Sequence, residues 1–259
     1  MCNYLQENGV SFTEILKGFM SRFFRLLIVV ITGSSIVSQA QDSRFTLNLA
    51  VGKSLSMREV ATKIFGETRG GELADDGLGA QIVASYYPTR RIGLAARFSY
   101  NQNNTREEGI KLVASGQYGV VNPVVVSSEG WTALSGMIGP TLRLGGERLG
   151  LEGRLLVGYA TVKSPNFTTK GTFQNYDIQV ITNSQNAQDW AYGAGATFHI
   201  GITSAVALVI NADATLISTT FKNVSNQVST TGFPEVNQLV NIEQHVGVMN
   251  VTGGLRFSF

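Results

Sequence analysis

The sequence predicts an all-β fold, an eight-stranded antiparallel up-and-down β-barrel, and three observations lead there. Eight segments of ten or more residues alternate apolar and polar side chains, the connections between them run short and long in turn, and aromatic residues gather at both ends of the apolar faces. Alternation with a period of two marks a strand with two unlike faces.

The first strand is predicted over 44–53, with Phe45, Leu47, Leu49 and Val51 on one face and Thr46, Asn48, Ala50 and Gly52 on the other. The second, 77–87, carries Leu78, Ala80, Ile82, Ala84 and Tyr86 on its apolar face. Pro88-Thr89-Arg90 then makes a tight turn, because Pro fixes φ and offers no donor for further pairing. The third, 91–101, sets Ile92, Leu94, Ala96, Phe98 and Tyr100 against Gly93, Ala95, Arg97, Ser99 and Asn101. Further strands are expected over 131–144, 149–162, 189–200, 205–216 and 244–259. Gly145-Gly146-Glu147-Arg148 and Gly201-Ile202-Thr203-Ser204 read as hairpin turns between them.

Long polar segments at 54–76, 102–130, 163–188 and 217–243 occupy the other side. Their Asn, Gln, Ser and Thr content predicts hydrated or partly disordered loops. Residues 110–126 do not fit the alternation. Gly116-Gln117-Tyr118-Gly119 reads there as a turn, giving a hairpin above the barrel, or two extra spanning strands and ten in all; Pro123 counts against the second choice.

Which face points outward is a separate question, since a soluble ligand-binding barrel would turn its apolar face inward. Phe45, Tyr86, Phe198, Phe257 and Phe259 lie at the short-turn ends, and Tyr100, Tyr159, Trp190 and Tyr192 at the long-loop ends. Two aromatic girdles on one common face are what the two lipid interfaces select. The opposite face would then line the lumen with Arg97, Arg143, Glu152, Arg154, Asp213 and Arg256, together with His199, Gln81, Asn48, Asn211 and Asn250. Eight strands leave room only for side chains. A salt-bridged, hydrated plug is therefore expected, with a narrow anion-preferring conduit as the alternative, because four arginines face two carboxylates.

Residues 20–40 have the form of a signal peptide: Arg22 and Arg25, then the short apolar run Leu26–Ile31, then Ser38-Gln39-Ala40. The run is shorter than the roughly 20 apolar residues of a spanning helix. Met20 is the expected start and 1–19 an extra or mis-assigned extension, leaving 41–259 as the barrel domain. The single cysteine, Cys2, lies in that extension, so the mature chain has no thiol chemistry.

A formal charge of +2 with no basic run gives no reason to expect nucleic acid. Gly52-Lys53-Ser54 lacks the upstream Gly of a phosphate loop, because Leu47 stands in its place. Asp75-Asp76-Gly77 lacks the alternating ligands of a calcium loop. Glu243-Gln244-His245, with Ser218 or Ser229, would supply an acid, a base and a nucleophile only if the fold brought them together. No catalytic, metal or cofactor site is assigned, and an enzyme is not expected.

The end of the chain, Thr252-Gly253-Gly254-Leu255-Arg256-Phe257-Ser258-Phe259, alternates into a terminal aromatic. Thr252, Gly254, Phe257 and Phe259 resemble the terminal assembly signal of bacterial outer-membrane β-barrels, and 44–259 is similar in pattern to the small OmpA/OmpX-type barrels. The resemblance implies a transmembrane β-barrel in the outer membrane of a Gram-negative-type envelope, with short periplasmic turns and long extracellular loops. It implies as partners the membrane lipid and lipopolysaccharide, the barrel assembly machinery and periplasmic chaperones. The expected role is structural or surface-interacting, with a porin-like channel as the alternative and a lipid-modifying enzyme behind both. The surface ligand is not identified by the sequence.

Overall fold

The computed structural model describes residues 44–57, 73–146 and 148–259. The expected extension and signal peptide (1–40), and most of the 54–76 connection, lie outside the described residues. Strands and one helix follow in the order β1 (Phe45–Ser56), β2 (Ala74–Tyr86), β3 (Ile92–Thr105), α1 (Glu107–Tyr118), β4 (Val121–Ser128), β5 (Trp131–Gly145), β6 (Leu149–Lys163), β7 (Phe167–Phe173), β8 (Tyr176–Thr182), β9 (Asn186–Gly201), β10 (Val206–Thr230) and β11 (Val236–Ser258). Eight of the strands close a ring, β1-β2-β3-β5-β6-β9-β10-β11, antiparallel at every joint. The ring closes where β11 meets β1, with Asn48 opposite Arg256 and Ala50 opposite Gly254. The predicted strands are these eight, and the three short turns fall where Pro88, Gly145 and Gly201 place them.

Closure brings the two backbones very close at Gly52 and, most tightly, at Gly254. A Cβ on Gly254 would overlap the Leu49 carbonyl oxygen and sit 2.7 Å from the Ala50 Cα, so only glycine fits on this seam. Gly253, one residue earlier and facing out, has open space, with its nearest atom at 4.0 Å.

The ends that were expected to be loops are folded, and this corrects three expectations. First, 217–243 is the upper part of a long hairpin. β10 and β11 stay paired from Val206↔Phe257 up to Val228↔Val236, with a register shift between Phe221 and Val224. The inward row Ile217, Thr219, Phe221 continues the strand's alternation, which outweighs the polar composition. Second, 163–188 contains the hairpin β7–β8, whose turn uses Gln174 and Asn175 at positive φ. Asn tolerates that conformation.

Third, 110–126 is neither a hairpin nor a pair of spanning strands. Ile110, Val113 and Ala114 repeat at helical spacing, Glu107 and Glu108 occupy the first turn, and Gly119 ends the helix at φ 65°. The acidic first turn suits the positive end of the helix dipole, and glycine adopts the left-handed cap without strain. The supposed turn at Gly116–Gly119 is the last turn of α1 and its cap. β4 follows as an edge strand on β7, which is where a strand can carry Pro123.

Beyond the ring, β10 pairs with β8 over Asn226–Thr230, and β8 with β7 and β7 with β4. The result is a sheet of five strands, in the order β11-β10-β8-β7-β4, standing on the long-loop side of the barrel. The 13 residues of β10 from Ser218 to Thr230 reach about 43 Å along the strand.

The seam gives a direct expectation. Gly254→Val will block closure and Gly253→Val will not. The check is the fraction of chain that migrates differently before and after boiling in detergent: close to zero for the first variant and close to wild type for the second.

Candidate functional site: the sealed lumen and the raised platform

Along each ring strand the outward positions are mainly apolar, and every charged side chain of the ring's middle points inward, the inverse of a soluble protein. Leu78, Leu94, Phe98, Leu155, Ile210 and Leu255 are exposed, while Asn48, Arg97, Glu152, Thr197, Asp213 and Asn250 are buried to 2% exposure or less. The outward row of β3 from Ile92 to Tyr100 spans about 27 Å along the strand and about 20 Å of height at the usual tilt. That is close to the ~25 Å apolar band of a barrel in lipid. A closed sheet is also one of only two backbone arrangements that satisfy every main-chain group inside a membrane. This is a membrane-spanning β-barrel of the outer-membrane type.

Comparison with solved structures returns outer-membrane proteins. The chain is similar to Ail, the attachment invasion locus protein of Yersinia pestis, at 16% identity, covering 84% of this chain and 100% of that one with a TM-score of 0.42. It is similar to the outer membrane protein OprG from Pseudomonas aeruginosa (10% identity, 84% and 96% covered, TM-score 0.44). It is also similar to a major outer membrane protein from Thermus thermophilus (10% identity, 85% and 100% covered, TM-score 0.45). No family model matches the sequence, and no curated protein matches it. At these identities and scores the likenesses add no weight, and the assignment rests on the barrel's own walls.

The six charged residues expected in the lumen are all inside, sorted into two tiers. In the tier nearer the short turns, Arg256 donates from Nη1 (2.9 Å) and Nη2 (2.5 Å) to the two oxygens of Glu152. Its Nε donates to Asn48 Oδ1 at 2.8 Å. Arg143 donates to the same carboxylate at 2.9 Å, and its guanidinium lies 3.7 Å above the Tyr87 ring. Arg256 Nη1 also meets His199 Nδ1 at 2.9 Å, so that nitrogen accepts and Nε2 carries the proton toward the Gly146 carbonyl oxygen at 3.2 Å. Arg256 and Glu152 together thereby tie β11 to β1, β5, β6 and β9.

In the second tier Asp213 is the hub. Arg154 grips it with Nε and Nη2 at 2.9 and 2.5 Å, a bidentate pair. Gln81 donates to it at 2.8 Å, and Arg97 pairs with it at 3.1 Å. Arg97 also donates to Thr215 at 2.5 Å, and Arg154 to Thr197 at 2.6 Å. Thr197 donates to Asn211, and Gln81 and Asn211 both donate to Thr252. A Cβ at Gly195 would overlap Asp213 Oδ1 and lie 2.8 Å from its Cγ, so this glycine makes room for the grip of Arg154.

Nearer the loops the lumen changes character, and the expectation of a polar interior throughout is corrected. Trp131, Ala133, Ala160, Val162, Ala191, Ile217 and Phe221 face inward and form an apolar cluster that Ile110 of α1 and Phe167 of β7 join. Trp131 and Phe221 meet edge to face, with ring centroids 6.0 Å apart. These residues share the parity of the charged positions further down their strands, so the inward face itself switches from polar to apolar. Sequence alternation alone shows two unlike faces and misses that switch. It also passes over Tyr87, which sits on the inward row one residue after outward Tyr86.

The predicted girdle residues lie on the outer wall. Phe45 and Tyr86 are register partners at the short-turn rim, and Phe198 lies opposite Leu151 nearby. Tyr100, Tyr159, Trp190 and Tyr192 lie toward the loop rim, all exposed, with the Tyr159 and Trp190 rings edge to face at 6.2 Å. Of the expected terminal-signal residues, Thr252 points into the second tier, Gly254 forms the seam, and Phe257 is half-buried opposite Leu47. Phe259, also half-buried, follows the end of β11. The register sets Ser218 opposite His245, whereas Glu243 faces Thr220 and Ser229 lies far up the platform opposite Gln179.

Removing one partner from a buried ionic hub leaves the other charges stranded, at a cost of about 3–5 kcal/mol. Asp213→Ala strands two guanidinium groups and will lower the unfolding free energy of the barrel in lipid vesicles by that margin, moving the urea midpoint down. The double variant Glu152→Met/Arg256→Met removes a pair together and will cost less than the single change Glu152→Met, because Arg143 retains partial access to water. Tryptophan fluorescence during urea titration reads both.

Proposed function

We propose that the protein is an integral component of a Gram-negative-type outer membrane that holds an interaction platform above the cell surface, and that it is not an enzyme or an open pore. The observation carrying this reading is the combination of a lumen filled at both levels with a large ordered sheet outside it. Arg97, Glu152 and Asp213 are buried in ion pairs and hydrogen bonds. The Trp131–Phe221 cluster lies between them and the loop side. A solute would have to break both layers. In contrast, the platform exposes Val124, Tyr176, Phe233 and Leu239 to solvent, residues that serve neither the barrel wall nor the lumen.

On this reading the aromatic rows at the two rims rest in the headgroup regions and fix the height of the barrel in the bilayer. Lipid and lipopolysaccharide are its immediate surroundings. Periplasmic chaperones and the barrel assembly machinery are its partners in delivery, with Thr252, Gly254, Phe257 and Phe259 as the terminal signal. Seam and signal share Gly254, so the strand that the machinery reads is the one that closes the ring.

Two measurements test the proposal. Purified protein in planar bilayers will be electrically silent; a steady conductance that changes in Arg97→Ala or Arg154→Ala would make the lumen a pore and overturn it. Cells displaying the wild-type chain will adhere to at least one member of a panel of immobilised extracellular proteins and polysaccharides. Replacing 164–185 with a short Gly-Ser turn will abolish that adhesion while leaving the heat-dependent gel mobility intact. Equal adhesion by the variant would remove the platform from the function.

A further inference from the structure

The four strands that rise from the short-turn rim, β1, β3, β6 and β10, begin in the same way. The carbonyl oxygen of the residue before each accepts a hydrogen bond from the neighbouring strand. Arg44 accepts from the Tyr87 N–H, Arg91 from Arg143 and Arg148 from Gly201, each at 2.7 Å, and Ala205 accepts from Ser258 at 2.9 Å. Each of the four precedes an outward apolar residue (Phe45, Ile92, Leu149 and Val206), so strand alternation puts all four positions on the inward face. Rising and descending strands alternate around the ring. The four positions therefore stand on four sides of the lumen's lower mouth, and three of them are arginine.

Nothing in the fold occupies these cations. Arg44, Arg91 and Arg148 are exposed, and among the described residues their guanidinium groups have no ion-pair or hydrogen-bond partner. The long-loop side is different: Lys53 pairs with Asp76 at 2.7 Å, Arg106 with Glu108 at 3.3 Å and Lys163 with Glu129 at 3.7 Å. Among the described residues every lysine lies on that side, whereas the cations of the lower mouth are all arginine. Glu147 is the one carboxylate in the three short turns.

Further in, the charge has the same sign. Arg143 and Arg256 share the single carboxylate of Glu152. Beside them lies a cavity of about 20 Å³, lined also by His199, Thr203, Ser204 and Ser258. A space of that size holds one water-sized group. Thr203 Oγ1 accepts from the Ala205 and Val206 N–H groups, at 3.2 and 3.0 Å, which leaves its own proton to donate. The exposed arginines border this cavity. Arg91 is bonded to Arg143, Arg148 follows the Gly146 turn, and Arg44 begins the strand that pairs with Ser258. Positive charge confined at a mouth draws anions, and guanidinium forks match phosphate oxygens two at a time. Both tiers and the apolar cluster close the bore above, so an anion that enters is held there and goes no further.

We propose that the lower mouth is a binding cup for a phosphate group, held by Arg44, Arg91 and Arg148 with one oxygen seated beside Arg143 and Arg256. The phosphate is that of a soluble periplasmic solute or of a phospholipid headgroup in the adjoining leaflet; the recognising chemistry is the same. The cup goes beyond the platform reading and takes from it only that the short turns face the periplasm.

The test is equilibrium dialysis of radiolabelled inorganic phosphate against folded full-length barrel in an uncharged detergent. Wild type will hold one phosphate per barrel. Arg44→Gln, Arg91→Gln and Arg148→Gln will each weaken binding roughly tenfold, the scale of one hydrogen bond to a charged group, with heat-dependent gel mobility unchanged. Ala205→Arg fills the fourth position and will tighten binding by about the same factor. Lys53→Gln/Lys163→Gln, on the opposite rim, will bind as wild type. Native mass spectrometry with phosphatidylglycerol separates the two sources. Lipid retained by wild type and lost from Arg44→Gln/Arg91→Gln/Arg148→Gln assigns the headgroup, and phosphate binding without retained lipid assigns a soluble solute. Absence of both overturns the proposal, as does wild-type affinity in all three single arginine variants or an equal loss in Lys53→Gln/Lys163→Gln. Should phosphate bind while replacement of 164–185 leaves adhesion intact, the cup stands and the platform reading falls. The opposite pair of results removes the cup and keeps the platform.

Discussion

The structure depends on the pairing of its last strand with its first. In a bilayer core there is no water to satisfy an unpaired amide, so a sheet survives only if it has no edge. The β11–β1 ladder provides that closure, from Thr46↔Ser258 to Ser56↔Val248. Its tightest point is Gly254 against Leu49. Arg256, on the same strand, reaches across the lumen to Glu152 and sideways to Asn48. Backbone closure and lumen ion pairing are therefore coupled: the strand that completes the ladder also delivers the cation that completes the first tier.

Once the ring is closed, its narrow bore decides what the interior can hold. Charges in that bore cannot hydrate freely, so each carboxylate collects more than one guanidinium and the remaining polar groups form chains of Thr, Asn and Gln around them. An ion pair of this kind adds little stability over a well-packed apolar core, yet removing half of it is costly. Its service to the fold is registry: Asp213 can meet Arg154 and Arg97 only if β3, β6 and β10 stand at the right heights. The apolar cluster nearer the loops makes no such demand and packs by shape, which suits the junction where α1 and β7 are added to the barrel.

The platform obeys the opposite rule. Outside the membrane water satisfies open edges, so the sheet above the ring need not close and ends in two. Among the described residues one is blunted by Pro123 and by register broken twice, and the other is long and slips once against β10. Solvent permits an edge that the bilayer forbids, and the same two strands, β10 and β11, pass from one regime to the other without interruption.

The sequence by itself determined the eight ring strands and their short turns, because a period of two is a local property of the backbone. The two aromatic girdles on the apolar face set that face outward and Arg97, Glu152 and Asp213 inward. It did not reveal α1, since Ile110, Val113 and Ala114 repeat over too short a span to outweigh the Gly and Tyr that read as a turn. Nor did it show that 163–188 and 217–243 are strands, since hydrated polar residues satisfy loop and strand alike. Only the tertiary structure decided which arginine meets which carboxylate, that Trp131 and Phe221 share the lumen with them, and which edge is left open. Those outcomes depend on strand heights around a closed ring, and a register set by long-range pairing leaves no mark on the spacing of neighbouring residues.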